Sequence, residues 1–216
     1  MECNARGAFC TLSNMSFGSW NIRGLNDPLK QGEVRRFLRE KQLNFVGLVE
    51  TRVKEINKVR VEKAIANGWN FLSNYRDAPN GRIWIGWDPQ QITVTSIREG
   101  EQFIHCSVSD TNNTWQCVIS VVYGVNCPEK RRDLWNELTS NALNATGVPW
   151  LGDFNAVRRR NEAIGGSSQW PPWKEDLETC MANSELEDLR FIGHFLTWSN
   201  IHIQTRYIVV IFLTLA

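Results

Sequence analysis

Hydrophobic residues recur at helical spacing in several parts of the chain. Val34, Phe37 and Leu38 lie at positions i, i+3 and i+4, and this periodicity predicts a helix that packs one apolar stripe on a sheet. Asp27 and Pro28 are the residue types that begin a helix, as N-cap and first helical residue. The same reasoning predicts helices over residues 28–41, 58–67, 128–142 and 173–182.

Runs of β-branched and aromatic residues predict strands between these helices. Residues 45–49 are apolar throughout, which is typical of a strand covered on both faces. Five successive runs separated by turn residues predict an antiparallel meander. The predicted strands are residues 16–22, 45–49, 69–75, 82–87, 92–97, 103–108, 114–123, 150–152 and 195–199. No internal repeat is apparent.

The order of these elements predicts the fold class. Helices that can cover the outer faces of two packed sheets indicate an α+β protein, a four-layer α/β/β/α sandwich of two mainly antiparallel sheets. We expect a flexible leader over residues 1–15, one domain over residues 16–200, and an apolar tail over residues 201–216. The most apolar part of this tail, residues 207–216, is either a buried strand or an aberrant end, because ten residues are too few to span a membrane.

Charge and cysteine content narrow the functional classes only slightly. The chain has 24 Lys plus Arg against 23 Asp plus Glu, so its net charge neither supports nor excludes nucleic-acid binding. The six cysteines show no zinc-ligand spacing, which argues against a structural zinc site. The first 15 residues lack the pattern of a signal peptide, so we expect an intracellular protein.

Polar residues stand at the ends of four predicted strands, and such ends converge at one edge of a sheet. They are Asn21, Glu50, Tyr123 with Asn126, and Asp153 with Asn155. Oxygen ligands suit a hard cation such as Mg²⁺, while a second carboxylate could activate water and a phenol could hold a phosphoryl oxygen. Taken alone, Asn21 and Asp153 are more often local caps of turns or loops and Glu50 is more often solvated, while Tyr123 is about as common in a core as in a site.

Five short motifs follow one another along the chain. They are Trp20-Asn21-Ile22-Arg23-Gly24-Leu25, Val49-Glu50-Thr51-Arg52, Val122-Tyr123-Gly124-Val125-Asn126, Gly152-Asp153-Phe154-Asn155 and Thr197-Trp198-Ser199-Asn200. In these motifs and their order the chain resembles the endonuclease/exonuclease/phosphatase superfamily over residues 16–200. The motif sequences are most similar to the apurinic-endonuclease-like branch and to the endonuclease domain of plant long interspersed (non-LTR) retroelements.

The resemblance implies a DNA-nicking phosphodiesterase that uses Mg²⁺ or Mn²⁺. By motif position, Glu50 would bind the metal and Asn21 would support the metal and the phosphate. Asp153 would position or activate water, with Asn155 orienting the site, and Tyr123 would contact the scissile phosphate.

The resemblance also implies DNA as the partner, a monomer, and an intracellular location with the nucleus as one option. The candidate nucleic-acid contacts are Arg23, Arg52, Arg158, Arg159, Trp198 and Asn200. Trp198 could instead close the core. An arginine run such as residues 158–160 is usually a solvated loop, although such a loop beside the site can contact phosphates.

The sequence departs from the family pattern after Ser199. The family's later Asp next to an Arg and its Asp-His pair do not appear, and His202 is more often a solvated or core residue than a substitute. We therefore expect a sandwich that lacks its last strands and contains no reverse transcriptase segment. This keeps two alternatives open: a catalytically inactive remnant that retains nucleic-acid binding, and a phosphatase or nuclease of the same superfamily that acts on non-DNA phosphates.

Overall fold

Two β-sheets packed face to face form the centre of the protein. The computed structural model describes residues 8–12, 15–140, 148–162, 169–188 and 210–213. Its strands are β1 (Ala8–Leu12), β2 (Met15–Asn21), β3 (Phe45–Val49), β4 (Asn70–Ser73), β5 (Ile83–Trp87), β6 (Ile92–Glu99), β7 (Phe103–Asp110), β8 (Gln116–Tyr123), β9 (Trp150–Asp153), β10 (Glu187–Asp188) and β11 (Val210–Leu213). Its α-helices are α1 (Pro28–Glu40), α2 (Lys58–Ile65), α3 (Pro128–Thr139) and α4 (Asp176–Asn183), and short 3-10 helices lie at Glu55–Asn57, Arg160–Glu162 and Pro172–Lys174.

The strand order confirms the predicted α+β class with two mainly antiparallel sheets. The first sheet runs β1-β2-β3-β5-β4 and the second runs β10-β11-β9-β8-β7-β6. In the described residues, neighbouring strands are antiparallel except for the β2–β3 and β8–β9 pairs, which are parallel. The expectation of one five-stranded meander is wrong, because β4 and β5 belong to the first sheet while β6, β7 and β8 belong to the second.

Strands also lie inside the predicted leader and the predicted tail. Strand β1 pairs antiparallel with β2 along its whole length, from Ala8 opposite Ser19 to Leu12 opposite Met15. Strand β11 lies between β10 and β9 in the second sheet. The predicted strand at residues 195–199 lies outside the described residues. Among the described residues, no helix combines the length and the apolarity that crossing a membrane requires.

The inner faces of the two sheets share one hydrophobic core. Phe17 and Phe45 of the first sheet pack in it with Val121 and Leu151 of the second. Gly47 of the first sheet lies close to the second, because a Cβ atom there would be 2.8 Å from Val121 Cγ1. A side chain at position 47 would therefore push the sheets apart.

Two further cores lie between each sheet and its helices, which completes the four layers. Trp20 and Trp84 pack with residues of α1 and α2 on the outer face of the first sheet. Trp150 and Phe154 pack with residues of α3 and α4 on the outer face of the second. These buried tryptophans fill the space between the layers.

Each sheet contains one parallel β-α-β unit. The first unit is β2-α1-β3 and the second is β8-α3-β9. Parallel neighbours need a crossover connection, and each crossover helix begins at a proline, Pro28 or Pro128. The polar residues identified in the sequence lie at the carboxyl ends of these four strands.

Candidate active site

The side chain of Asn21 joins the two sheets at their carboxyl ends. Its amide nitrogen donates to Glu50 Oε1 at 3.0 Å and to Asp153 Oδ2 at 2.7 Å. Asn21 ends β2, Glu50 follows β3, and Asp153 ends β9 of the other sheet. The predicted convergence at one edge of a single sheet is thus replaced by convergence at an edge that two sheets share.

Glu50 is held by a backbone that bends sharply after β3. The side chain is buried, with one carboxylate oxygen on the Asn21 amide and the other paired with the guanidinium of Arg52. The amide of Gly24 donates to the Glu50 carbonyl at 2.7 Å, and the amide of Arg52 donates to the Gly81 carbonyl at 3.0 Å. These bonds fix the direction in which the carboxylate points.

Strained backbone accumulates beside the site. Arg23, Glu50, Arg52 and Asn155 have φ values of 49°, 54°, 53° and 47°, in the left-handed region that non-glycine residues rarely adopt. Each such residue costs about 1–2 kcal/mol, and strain of this kind concentrates at functional sites. The four residues follow the ends of β2, β3 and β9, where the surrounding hydrogen bonds hold them in place.

Asp153 is a buried carboxylate with an altered protonation equilibrium. Burial raises its pKa, hydrogen bonds from the Asn155 amide and the Asn21 side chain oppose this rise, and the charge of Glu50 adds to it. The Asn155 amide donates to Asp153 Oδ1 at 2.9 Å, and the Asn155 side chain donates to the Gly124 carbonyl at 2.6 Å. A raised pKa makes Asp153 a better proton acceptor than a solvated carboxylate.

Tyr123 ends β8 directly opposite Asp153 in the parallel register. Burial raises its pKa to about 12, and the neighbouring Glu50 and Asp153 carboxylates act in the same direction. The phenol therefore stays protonated near neutral pH and can donate a hydrogen bond. The guanidinium of Arg82 lies over the ring, 5.7 Å from its centroid.

Sequence reasoning missed Arg82. It precedes β5, and Ile83 pairs with Val49, so the register brings Arg82 beside the end of β3. No local motif marks it. The nearest signal is its place one residue after Gly81, whose positive φ of 59° belongs to a turn.

Sequence reasoning also missed a repeated loop that supports the site. Residues 24–28 read Gly-Leu-Asn-Asp-Pro and residues 124–128 read Gly-Val-Asn-Cys-Pro. Gln31 Nε2 donates to the carbonyls of the second and third residues of the first loop at 2.9 and 3.4 Å. Arg131 Nη1 does the same in the second loop at 2.8 and 3.1 Å. The chain therefore does contain a short internal repeat, contrary to the sequence analysis. The Gly-x-Asn-x-Pro spacing shared by the two loops could have identified it.

The candidate nucleic-acid contacts divide into three groups. Arg23 is exposed beside Asn21, and Arg52 pairs with Glu50 while most of its side chain faces solvent. Arg158 is largely buried and pairs with Glu178 and Asp188, so it connects the loop after β9 to α4 and β10. Arg159 is mostly exposed, 3.9 Å from Glu178. Trp198 and Asn200 lie outside the described residues, as does His202.

The donor set fits a hard divalent cation. Glu50 and Asp153 provide carboxylate oxygens, and Asn21 provides an amide oxygen that accepts from the Arg23 amide at 3.2 Å. Magnesium is usually bound by one or two carboxylates, with water and substrate phosphate completing the shell. In the described part of the chain, no three or more His, Cys, Asp or Glu side chains converge as a metal-binding group. The oxygen donors of Glu50, Asp153 and Asn21 suit Mg²⁺ or Mn²⁺ better than Zn²⁺, which commonly takes nitrogen and sulfur ligands.

Comparisons with known proteins rest on structure. No protein-family model and no curated protein sequence matches the chain. The fold is similar to the endonuclease domain of TRAS1, a telomere-specific non-LTR retrotransposon, with a TM-score of 0.66 and 13% identity over 92% of this chain and 83% of that one. It is also similar to the AP endonuclease LMAP from Leishmania major (TM-score 0.63, 14% identity, 92% and 78% covered). A third similar structure is an endonuclease/exonuclease/phosphatase family protein from Bacteroides thetaiotaomicron (TM-score 0.61, 11% identity, 98% and 83% covered). The chain thus has the fold that these three proteins share.

Proposed function

We propose that this chain is a metal-dependent phosphodiesterase that nicks DNA, of the kind found in retroelement endonuclease domains. The observation that carries the proposal is the Asn21 amide, which holds Glu50 and Asp153 together across the two sheets. One fold can host many activities. The residues of the site therefore support the proposed activity, and the likeness to nuclease structures supports it only as analogy.

In the proposed reaction, Glu50 and Asn21 would hold the metal ion. A bound Mg²⁺ would polarise a phosphoryl oxygen and lower the pKa of a water molecule. Asp153 would accept the proton of the attacking water, because its buried carboxylate has a raised pKa. Asn155 fixes the orientation of that carboxylate through its backbone amide.

The phosphate would be held by neutral and cationic donors around this acidic centre. Tyr123 keeps its proton and would donate to a non-bridging phosphate oxygen. Arg23 and Arg52 have exposed guanidinium groups beside Asn21 and Glu50, where they would contact flanking phosphates. Arg82, which lies over the Tyr123 ring, would position the phenol.

A plasmid-nicking assay tests the proposal. Purified protein is incubated with supercoiled plasmid in Mg²⁺ or in EDTA, and the relaxed circle is measured by gel electrophoresis. The Asp153→Asn variant removes the proton acceptor, and we expect its nicking rate to fall by about 10²-fold or more. Asp133→Asn, on the exposed face of α3, is the matched control and should nick like the parent.

Three outcomes would contradict the proposal. Absence of Mg²⁺-dependent nicking at micromolar protein would favour the inactive remnant. Nicking that survives in Asp153→Asn would remove the assigned proton acceptor. Hydrolysis of RNA or of a small phosphate monoester without nicking would favour the third alternative, and thermal unfolding of each variant shows whether it is folded.

A further inference from the structure

Two tryptophans and two cations form a cluster on the surface after β9. The Lys174 ammonium lies 4.8 Å from the ring centroid of Trp170 and 5.8 Å from that of Trp173. The Arg160 guanidinium lies 5.4 Å from the Trp170 centroid. We call these four residues the indole platform.

Trp173 and Arg160 of the platform are exposed, Trp170 and Lys174 are half-buried, and the backbone of residues 170–174 is restricted. Two consecutive prolines separate the two tryptophans, which limits the backbone conformations of the segment. The Lys174 amide donates to the Pro171 carbonyl at 3.0 Å, closing a 3-10 turn. On either side, Arg158 pairs with Glu178, and Leu177 of α4 is buried in the outer core. A surface held in this way loses little conformational entropy when it binds a partner.

Core packing does not account for the indole of Trp173. Trp20, Trp84 and Trp150 are each at most 3% exposed, whereas Trp173 is 37% exposed. An exposed aromatic ring beside cations matches the surface that proteins use for unpaired nucleic-acid bases, where the ring stacks on the base and the cations contact phosphates.

The platform lies within reach of a DNA strand bound at the candidate active site. Arg160 is seven positions after Asp153, so their Cα atoms are at most about 25 Å apart even if the chain is fully extended. Successive nucleotides of one strand advance by about 3.4 Å along the helix axis. About seven nucleotides would therefore cover the distance.

We propose that the indole platform binds an unpaired base of the DNA substrate, with Trp173 stacking on the base and Lys174 and Arg160 contacting the adjacent phosphates. The inference rests on the proposed function for its substrate, because the strand that reaches the platform is the one held at Glu50 and Asp153. It gives the enzyme a preference for DNA with a single-stranded stretch close to the cut.

Fluorescence anisotropy tests this without cleavage. Labelled 12-nucleotide single strands, blunt duplexes and duplexes with a single-stranded flap are titrated with protein in EDTA. Trp173→Leu should raise Kd for the single strand and the flap by roughly 10-fold and leave the blunt duplex almost unchanged. Lys174→Gln should weaken binding of all three and reduce the slope of log Kd against log salt by about one.

Matched controls separate this effect from a general loss of charge or apolar surface. Arg36→Gln removes an exposed cation from α1, and Ile56→Ala removes an exposed apolar side chain; neither should change Kd for the flap. Near-ultraviolet circular dichroism confirms that each variant is folded. An unchanged Kd in Trp173→Leu would overturn the proposal, and an equal loss on flap and blunt duplex would overturn its preference for unpaired bases.

The plasmid assay keeps the two proposals distinguishable. If the parent protein does not nick but its flap binding depends on Trp173, the proposed nicking activity is contradicted and the proposed base binding is supported. If the parent protein nicks and Trp173→Leu binds the flap normally, the nicking activity is supported and the base binding is contradicted.

Discussion

The two β-α-β units have the same backbone arrangement but carry different side chains. In both, a parallel strand pair is crossed by a helix that begins at a proline, and a Gly-x-Asn-x-Pro loop precedes that helix. The Gly24 amide donates to the Glu50 carbonyl at 2.7 Å, and the Gly124 amide donates to the Asp153 carbonyl at 2.8 Å. Each loop thus closes on the acidic residue of its own unit.

The differences lie in what each loop packs against. A Cβ atom at Gly24 would meet no atom within 4 Å, whereas one at Gly124 would lie 2.3 Å from the Phe154 carbonyl oxygen. The back-reaching side chain is neutral Gln31 in the first unit and charged Arg131 in the second. The second unit is therefore the more tightly constrained of the two, and the comparison teaches that the same loop tolerates change unequally in its two copies.

The largest expected difference comes from the two loop glycines. Gly124→Ala should lower the free energy of unfolding by roughly 5 kcal/mol or more, because the new methyl group overlaps a backbone oxygen that cannot move alone. Gly24→Ala should cost only about 1–2 kcal/mol, the strain of a φ of 102°. Urea unfolding followed by tryptophan fluorescence measures both; equal losses would show that the two loops are equally constrained.

The back-reaching side chains give the next contrast. Arg131→Met should cost about 4 kcal/mol, because Arg131 is 3% exposed and its loss leaves two loop carbonyls without their donor. Gln31→Met should cost about 2 kcal/mol, since one of its two bonds is long at 3.4 Å. Chemical denaturation ranks the pair, and a larger loss for Gln31→Met would reverse the interpretation.

Acid should destabilise the folded protein through a buried histidine of the second sheet. His105 on β7 is buried, contacts Ser120 Oγ at 2.8 Å and lies 3.6 Å from Glu137, while Arg98 also faces Glu137. Burial, followed by the charge of Arg98, lowers its pKa to about 4. The folded protein therefore binds this proton only at a lower pH than the unfolded chain does. Stability is unaffected above pH 6.5 and falls by roughly 3 kcal/mol as the pH drops to about 4.

The variant His105→Asn tests that pH dependence. Its unfolding free energy, measured by urea titration at several pH values, should lose most of the slope between pH 6.5 and 4. Within the described residues His105 is the only histidine, so a slope that persists in the variant would come from carboxylates or from His194 and His202.

The smallest contrast concerns the helix starts. Asp27 caps α1 by accepting the Leu29 amide, whereas Cys127 makes no such side-chain cap for α3 although its backbone angles are almost the same. Asp27→Ala should cost about 1 kcal/mol, and Cys127→Asp should stabilise the protein by up to about 1 kcal/mol. Thermal unfolding resolves both changes, and no gain in Cys127→Asp would show that the second loop cannot use a cap.

The sequence predicted the local features well because they depend on neighbouring residues. Pro28 and Pro128 marked two helix starts, and the fold class followed from the order of elements. The motifs also identified Asn21, Glu50 and Asp153, which the structure brings together; their chemical roles stay predictions.

The failures concern contacts between distant parts of the chain. The assignment of β4 to β8 to two sheets depends on long-range pairing that turn residues do not encode. The place of Arg82 over Tyr123 depends on the register of β5, and the burial of Arg158 depends on carboxylates of α4 and β10. The left-handed backbone conformation at Glu50 could not be predicted, because the residue there is not a glycine.

Gly47 sets the distance across which the candidate site can be assembled. It allows the backbone of β3 to lie against Val121 at the centre of the molecule, several residues below Glu50. The 2.7 Å hydrogen bond from Asn21 to Asp153 joins the same two sheets at their edge. An alanine at position 47 would push the two sheets apart. A single methyl group in the core would then weaken the contact between Asn21 and Asp153 at the edge of the sheets.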